Sequence, residues 1–209
     1  MKGSVQKKVL KLVELALLIA LVVALQMLSA VIPPIGGTVS ITLTLIPVVV
    51  GGILLGKRAG ATLGFFFGAV VLMNCVLGLD VGGGILWNAN PWFTGIICIA
   101  KGMAAGFVPA LLYGIIKGNA KKINKKRVFA ATVVAALSAP IVNTGLFILG
   151  MILFFKDILF TWAGDTNIVL YVLVGLAGLN FAVEFIINTV LSPAVVRIVD
   201  AIDKWDSRG

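Results

Sequence analysis

Long apolar stretches alternate with short polar or glycine-rich segments along the chain. They predict membrane spans at residues 12–32, 41–55, 61–77, 92–116, 128–155 and 167–199. A helix of about 20 apolar residues crosses a hydrocarbon core of about 30 Å. The second span is short and contains Pro47, so we expect a broken or irregular element there. The pattern predicts an all-α integral membrane protein, in which residues 1–209 form a single six-helix domain.

Composition supports the membrane assignment. Hydrophobic residues make up 60% of the chain and charged residues only 12%, whereas soluble domains carry about 25% charged residues. Six spans with short connections use up nearly all of the 209 residues. The sequence therefore leaves no room for a separate soluble domain.

Basic residues are distributed unevenly between the predicted connections. Most of the 17 Lys and Arg residues fall in the amino-terminal segment, the 57–58 turn, the 117–127 loop and the carboxyl-terminal end. Cytoplasmic loops are enriched in Lys and Arg, so both termini are predicted to be cytoplasmic. This distribution explains the net charge of +9 without nucleic-acid binding. The expected location is the plasma membrane of a bacterium.

Several kinds of chemistry are disfavoured by what the sequence lacks. It contains no histidine, which removes histidine acid–base catalysis and histidine-ligated zinc or haem. It also has no GxxxxGK[ST] phosphate-binding loop, so ATP hydrolysis would have to come from partner subunits. Cys75 and Cys98 form no CxxC motif and are interpreted as small apolar filler. We expect neither an enzyme nor a bound cofactor or metal.

Two charged residues interrupt the apolar spans, Lys101 in the fourth and Glu184 in the sixth. A charge at the bilayer centre costs about 2.5–3.5 kcal/mol on insertion scales, and such residues usually face a bundle interior or a water-filled cavity. Both are candidates for binding a polar ligand. The alternative is that they pair with each other and only hold the bundle together.

Amide and aromatic residues extend this candidate site. Seven residues are predicted to bind the substrate, and they lie either in the spans or in the outer glycine-rich loop 78–91. They are Trp87, Asn88, Asn90, Lys101, Asn143, Asn180 and Glu184. Glycine lets a backbone approach a ligand closely, and asparagine offers both donors and acceptors. We expect an outward-facing polar pocket in the outer half of the membrane. Single asparagines more often form interhelical hydrogen bonds, and tryptophans near an interface often belong to the aromatic belt.

Small residues recur at intervals of four on two of the spans. Ala16, Ala20 and Ala24 share one face of the first span, which we call the alanine ladder. Such a face lets another helix approach closely in lipid. The alternative is packing against a neighbouring span of the same chain, which is the interpretation we give to Gly102 and Gly106 on the fourth span.

Taken together, the size, the alanine ladder and four segments resemble the S components of energy-coupling factor (ECF) vitamin transporters. The segments cover residues 42–70, 90–118, 139–155 and 180–199. The resemblance implies a subunit without ATPase activity that binds a micronutrient near the outer face. It also implies docking through the alanine ladder on a transmembrane coupling subunit, with two cytoplasmic ATPases driving transport.

The sequence is compatible with several vitamins as the substrate. A buried lysine suits a carboxylate, as in pantothenate or folate, while aromatic residues beside asparagines suit riboflavin. We favour pantothenate, then riboflavin, with cobalamin a further candidate. The competing functions are a self-contained secondary transporter or channel for a small polar solute, and an intramembrane enzyme. Neither internal repeats nor a plausible nucleophile–base pair supports them.

Overall fold

The computed structural model describes residues 2–31, 44–118, 125–176, 181–190 and 197, and this part of the chain is helical. In chain order the helices are α1 Lys2–Val31, α2 Leu45–Leu55, α3 Lys57–Val76, α4 Val81–Ala89, α5 Pro91–Lys117, α6 Lys125–Phe154, α7 Lys156–Ala163, α8 Ile168–Leu170 and α9 Phe181–Val190. A π-helical segment, Tyr171–Leu176, follows α8 directly.

Four of the described helices are long and apolar enough to cross a membrane: α1, α3, α5 and α6. They match predicted spans one, three, four and five. Helix α1 begins at Lys2, so the basic amino-terminal segment is part of the helix rather than a separate start. The multi-pass, all-helical prediction is confirmed in this coarser form.

The second and sixth spans are irregular. Helix α2 has only 11 residues, which correspond to about 16 Å of helix and fall short of a hydrocarbon core. The described part of the predicted sixth span, residues 167–199, consists of three α-helical residues, the π-helical segment and α9. π-Helical turns are rare and often mark functional sites.

A stripe of glycines brings α3 and α5 into backbone contact. Gly60 and Gly64 on α3 face the carbonyl groups of Gly106 and Gly102 on α5, and Gly68 faces the carbonyl of Cys98. A Cβ atom at any of the three would collide with these backbone atoms. Small residues at such spacing allow close helix packing in lipid, where the hydrophobic effect does not drive helix association. The packing role predicted for Gly102 and Gly106 is therefore confirmed.

Helix α2 packs against the same contact. A Cβ on Gly52 would lie 3.1 Å from the Ala110 Cβ and 3.2 Å from the Gly106 carbonyl oxygen. The main core surrounds this point and contains Val48, Leu63 and Phe67, all fully buried. Helices α2, α3 and α5 therefore form the tightly packed centre of the bundle.

The glycine-rich segment 78–91, predicted to be a loop, contains a helix. Asp80 caps α4, because its side chain accepts a hydrogen bond from the Gly83 N–H at 2.8 Å. Gly83 also lies so close to the Cys75 sulfur that a Cβ there would overlap it. Capping and close packing together explain why this glycine-rich sequence is helical.

Helices α4 and α7 cover one end of the bundle with a second hydrophobic cluster, which we call the apolar cap. Its buried members come from α4, α5, α6, α7 and the segment after α8: Leu86, Ile97, Met151, Phe155, Leu159 and Val172. The apolar cap lies opposite the basic 57–58 turn, since α3 runs from that turn to the end that α4 covers.

Replacing Gly64 by alanine tests the α3–α5 contact. Alanine ordinarily stabilises a helix interior by about 1 kcal/mol relative to glycine. At Gly64 the new Cβ would meet the Gly102 carbonyl carbon at 2.8 Å, and overpacking costs about 1–3 kcal/mol. We therefore expect Gly64→Ala to lower the thermal unfolding temperature of the detergent-solubilised protein.

The matched control is Gly145→Ala on α6, where a Cβ would meet no atom within 4 Å. This variant should be as stable as the wild type or more so. Equal stability of both variants would contradict backbone contact between α3 and α5.

Candidate binding site

Lys101 projects from α5 towards α6. Its Nζ lies 5.1 Å from the centre of the Phe147 ring, and the side chain is partly buried. An ammonium over an aromatic face is stabilised by about 0.5–2 kcal/mol, depending on desolvation. The lysine stands about 15 Å from the start of α5, half of a hydrocarbon core of about 30 Å. Lys101 therefore lies near the middle of α5, and its expected place in the outer half of the membrane stays a prediction.

Asn143 lies one turn before Phe147 on the same face of α6. Its side chain is 4% exposed, and its Oδ1 accepts no hydrogen bond from any described residue. A buried polar atom without a partner costs about 1–3 kcal/mol. The interhelical hydrogen bond that explains most single membrane asparagines does not involve this oxygen.

The contacts between α5 and α6 bring Lys101 and Asn143 to one place. A Cβ on Gly150 would lie 2.6 Å from Ile97, which aligns the two antiparallel helices. From that alignment, Phe147 is level with Lys101 and Asn143 is about one turn further from the apolar cap. A cation and a carboxamide whose oxygen has no partner among the described residues thus share the α5–α6 interface.

The apolar cap seals this interface from the nearer end of the bundle. Ile97 and Phe147, which flank Lys101, belong to the cap or pack against it. Leu86 of α4 and Leu159 of α7 lie above them and are almost completely buried. Such surroundings exclude water and strengthen electrostatic interactions with any anion at Lys101.

The predicted residues near α4 lie elsewhere. Trp87 packs against the main core and lines an apolar groove of about 670 Å³ along α5, together with Trp92, Ile96 and Met103. Lys101 and Met103 point to opposite sides of α5, so the structure does not bring Trp87 and Lys101 together.

Asn88 lies in the last turn of α4, and Asn90 follows directly after its last residue. Asn88 is exposed. The Asn90 side chain caps α5 and accepts a hydrogen bond from the Phe93 N–H at 3.2 Å. Its oxygen therefore already has a structural role.

Glu184 and Asn188 lie one turn apart on α9. Glu184 is completely buried, and its carbonyl oxygen accepts a hydrogen bond from the Asn188 Nδ2 at 2.8 Å. The burial is consistent with a side chain that faces the bundle interior. Asn180, the remaining predicted residue, lies outside the described residues.

Sequence reasoning missed several buried polar groups near the cap. Asn74 on α3 is 3% exposed, and its Oδ1 has no donor among the described residues. Thr44 donates a buried hydrogen bond to the Gln26 Oε1 at 2.8 Å, joining α2 to α1. An asparagine inside the apolar run VVLMNCV was the available signal for Asn74.

The alanine ladder is exposed. Ala16, Ala20 and Ala24 all lie on the side of α1 that faces away from the bundle. The opposite side carries Val22 and Gln26, which are buried. Within the described residues the ladder therefore does not serve internal packing.

Comparison with known proteins assigns this chain to a protein family. Residues 10–196 match the family model described as ECF transporter, substrate-specific component. The chain is also 28% identical over 193 residues to the pantothenic acid transporter PanT of Lactococcus lactis subsp. cremoris (strain MG1363). That match covers 87% of this chain and 89% of the relative. No solved structure gives a significant match. Because the family model covers most of its length, this chain belongs to the substrate-specific components of ECF transporters.

Proposed function

We propose that this protein captures pantothenate from outside the cell and delivers it inward as the S component of an ECF transporter. The observation that carries the proposal is that the Lys101 ammonium and the Asn143 Oδ1, which has no partner among the described residues, both lie at the α5–α6 interface near the apolar cap. The family and the pantothenate-transporting relative support the same class of substrate.

Pantothenate is an elongated molecule with a carboxylate at one end, a central amide and hydroxyl groups at the other end. In this proposal the Lys101 ammonium binds the carboxylate. The Asn143 carboxamide can flip so that its NH₂ group donates to the same anion. A charge-assisted hydrogen bond in a dry site is worth about 1.5–3 kcal/mol net. Glu184, which is buried, is proposed to shape the polar end of this pocket with Asn180.

Trp87 and Asn88 have a different place in the proposal. They lie at the outer end of the bundle, and Asn88 is exposed. We assign them to the first capture of ligand at the membrane surface rather than to the Lys101 site. The apolar cap then has to open before ligand reaches Lys101, because its buried side chains lie above that residue.

Transport requires partners that supply the driving energy. We propose that the alanine ladder docks on a transmembrane coupling subunit and that two cytoplasmic ATPases drive the cycle. Exposed small residues at intervals of four suit the close approach of a second helix in lipid. The proposed topology has six spans, cytoplasmic termini and an outward-facing apolar cap, in a bacterial plasma membrane.

Replacing Lys101 by methionine tests the binding site. Methionine keeps most of the apolar stem and removes the charge. We expect affinity for pantothenate to fall roughly ten- to a hundredfold, since about 1.4 kcal/mol corresponds to one decade. The measurement is calorimetric titration of the solubilised protein.

The matched control is Lys117→Met at the other end of α5, where the lysine lies over the Tyr113 ring. This variant should bind like the wild type. Unchanged affinity in Lys101→Met would exclude Lys101 from the binding site and leave it as a structural cation.

Replacing Ala20 by tryptophan tests docking. An indole on this face keeps a partner helix at a distance, so uptake by cells that express the whole transporter should be abolished. Pantothenate binding to the isolated variant should stay within about twofold of wild type, since Ala20 is exposed. Ile141→Trp on α6, also at an exposed apolar position, is the control and should leave uptake intact. Parallel loss of binding and uptake in Ala20→Trp would refute a docking role.

Cysteine labelling tests the topology. Lys57→Cys and Asp165→Cys, each in a chain whose two native cysteines are replaced by alanine, place exposed thiols at opposite ends of the bundle. A membrane-impermeant maleimide should label position 165 on intact cells and position 57 only after permeabilisation. The reverse pattern would invert the proposed orientation.

A further inference from the structure

A layer of buried polar side chains crosses the bundle near the apolar cap, on a different set of helices from Asn143. Its members are Gln26 and Ser29 on α1, Thr44 at the start of α2, Asn74 on α3 and Thr94 on α5. We call it the outer polar layer. None of these residues belongs to the binding site that the sequence predicts.

Contacts between the helices place these residues at one depth. Leu18, Gly51 and Leu63 meet, because a Cβ on Gly51 would touch both leucine side chains. Measured from that point at 1.5 Å per residue, Thr44 and Gln26 lie about 10–12 Å towards the cap. Ser29 and Asn74 lie about 16 Å towards it on the same scale.

Thr94 reaches the same depth on α5. The Gly64–Gly102 contact aligns α5 with α3, and Thr94 lies about 13 Å towards the cap by that alignment. The layer is therefore about one helical turn thick. It spans four helices.

Asn74 differs from the other members in its hydrogen bonding. The Ser29 and Thr94 hydroxyls donate to carbonyl groups one turn earlier in their own helices, both at 2.9 Å. Gln26 and Thr44 bond to each other. The Asn74 Oδ1, although completely shielded, has no donor among the described residues. Since an unpartnered buried oxygen is costly, a ligand that brings a donor gains this interaction without displacing another.

The position of Asn74 follows from the shortness of α2. Asn74 lies three turns beyond Leu63 on the same face of α3, and Leu63 packs against α2 at Gly51. Helix α2 starts at Leu45, about 7.5 Å short of the level of Asn74. Asn74 therefore extends the α2-facing surface of α3 past the end of α2.

We propose that Asn74 is a specificity-determining residue that accepts a hydrogen bond from a hydroxyl group at the neutral end of the substrate. This inference rests on the proposed function, in which Lys101 binds the anionic end. Asn74 and Lys101 are about 13 Å apart along the bundle axis by the α3–α5 alignment.

The two side chains lean towards each other along the bundle axis. In a helix the Cα–Cβ bond tilts towards the amino-terminal end, so Asn74 leans away from the cap and Lys101 leans towards it. The separation of their polar ends along the bundle axis is therefore shorter than about 13 Å, the axial estimate from the backbone. This spacing selects elongated anions with a hydroxyl group far from the carboxylate.

The test compares two ligands on two variants by calorimetric titration. The ligands are pantothenate and N-(3,3-dimethylbutanoyl)-β-alanine, which has the same carboxylate, amide and shape but lacks both hydroxyls. Asn74→Leu should weaken pantothenate binding about three- to tenfold, the size of one neutral hydrogen bond, and leave the analogue unaffected. Lys101→Met should weaken both ligands equally.

Leucine is chosen because it replaces an unpartnered buried carboxamide by an apolar side chain of similar size. Such a change is neutral or stabilising for folding, so the unfolding temperature of Asn74→Leu should be unchanged or higher. Met73→Ala, at the exposed neighbouring position, is the control and should bind both ligands like the wild type.

The outcomes separate the two levels of the proposal. Failure of the wild-type protein to bind pantothenate would overturn the substrate. Normal wild-type binding with equal losses of both ligands in Asn74→Leu, or with no loss of either, would overturn the role of Asn74 alone. Reduced stability of Asn74→Leu would make Asn74 a structural residue and would also overturn it.

Discussion

The backbone contact between α3 and α5 is the constraint on which the other features depend. Glycines on each helix face carbonyl groups of the other, so no side chain separates them. Because neighbouring residues on a helix are rotated by about 100°, Gly102 facing α3 requires Lys101 to project from a different face, towards α6. The same register sets the depth of Thr94 and Lys101 relative to Asn74. A shift of one turn along this contact would move the cation by about 5 Å.

The shortness of α2 gives the bundle two unlike halves. Where α2 is present, it packs against α3 and α5 around Gly52, and the side chains at that contact are apolar. Nearer the cap, α1, α3 and α5 carry the outer polar layer instead. In the interior of a membrane protein, polar side chains are stable only when they have partners or line a site. The outer polar layer therefore lies between the apolar cap and the level of Lys101, where the neutral end of a ligand is proposed to bind.

Small residues at intervals of four have opposite roles in two places. On α3 and α5 they are buried and bring two helices of one chain together. On α1 the alanine ladder is exposed and faces away from the bundle. Packing in lipid depends on close contact rather than on the exclusion of water, so an exposed small-residue face is suited to a second protein. The spacing is the same, and only burial distinguishes the two uses.

The sequence by itself determined the helical membrane architecture, the short second span and the family resemblance, because apolar stretches and basic connections are local patterns. It also indicated Lys101 and Asn143 as candidate site residues, since a polar residue inside an apolar run is visible without a structure. It misjudged segment 78–91, where the Asp80 cap and packing on Cys75 outweigh the helix-breaking tendency of glycine.

Only the tertiary structure decided which polar residues lie near one another. Trp87 and Lys101 are close in sequence but lie on different sides of α5, whereas Gln26 and Thr44 come together from different helices. The side-chain oxygens of Asn74 and Asn143, which have no partner in the part of the chain that the structure describes, likewise follow from helix register. Depth and facing direction depend on how the helices pack, and the α3–α5 glycine contact fixes that packing through atoms that carry no side-chain signal.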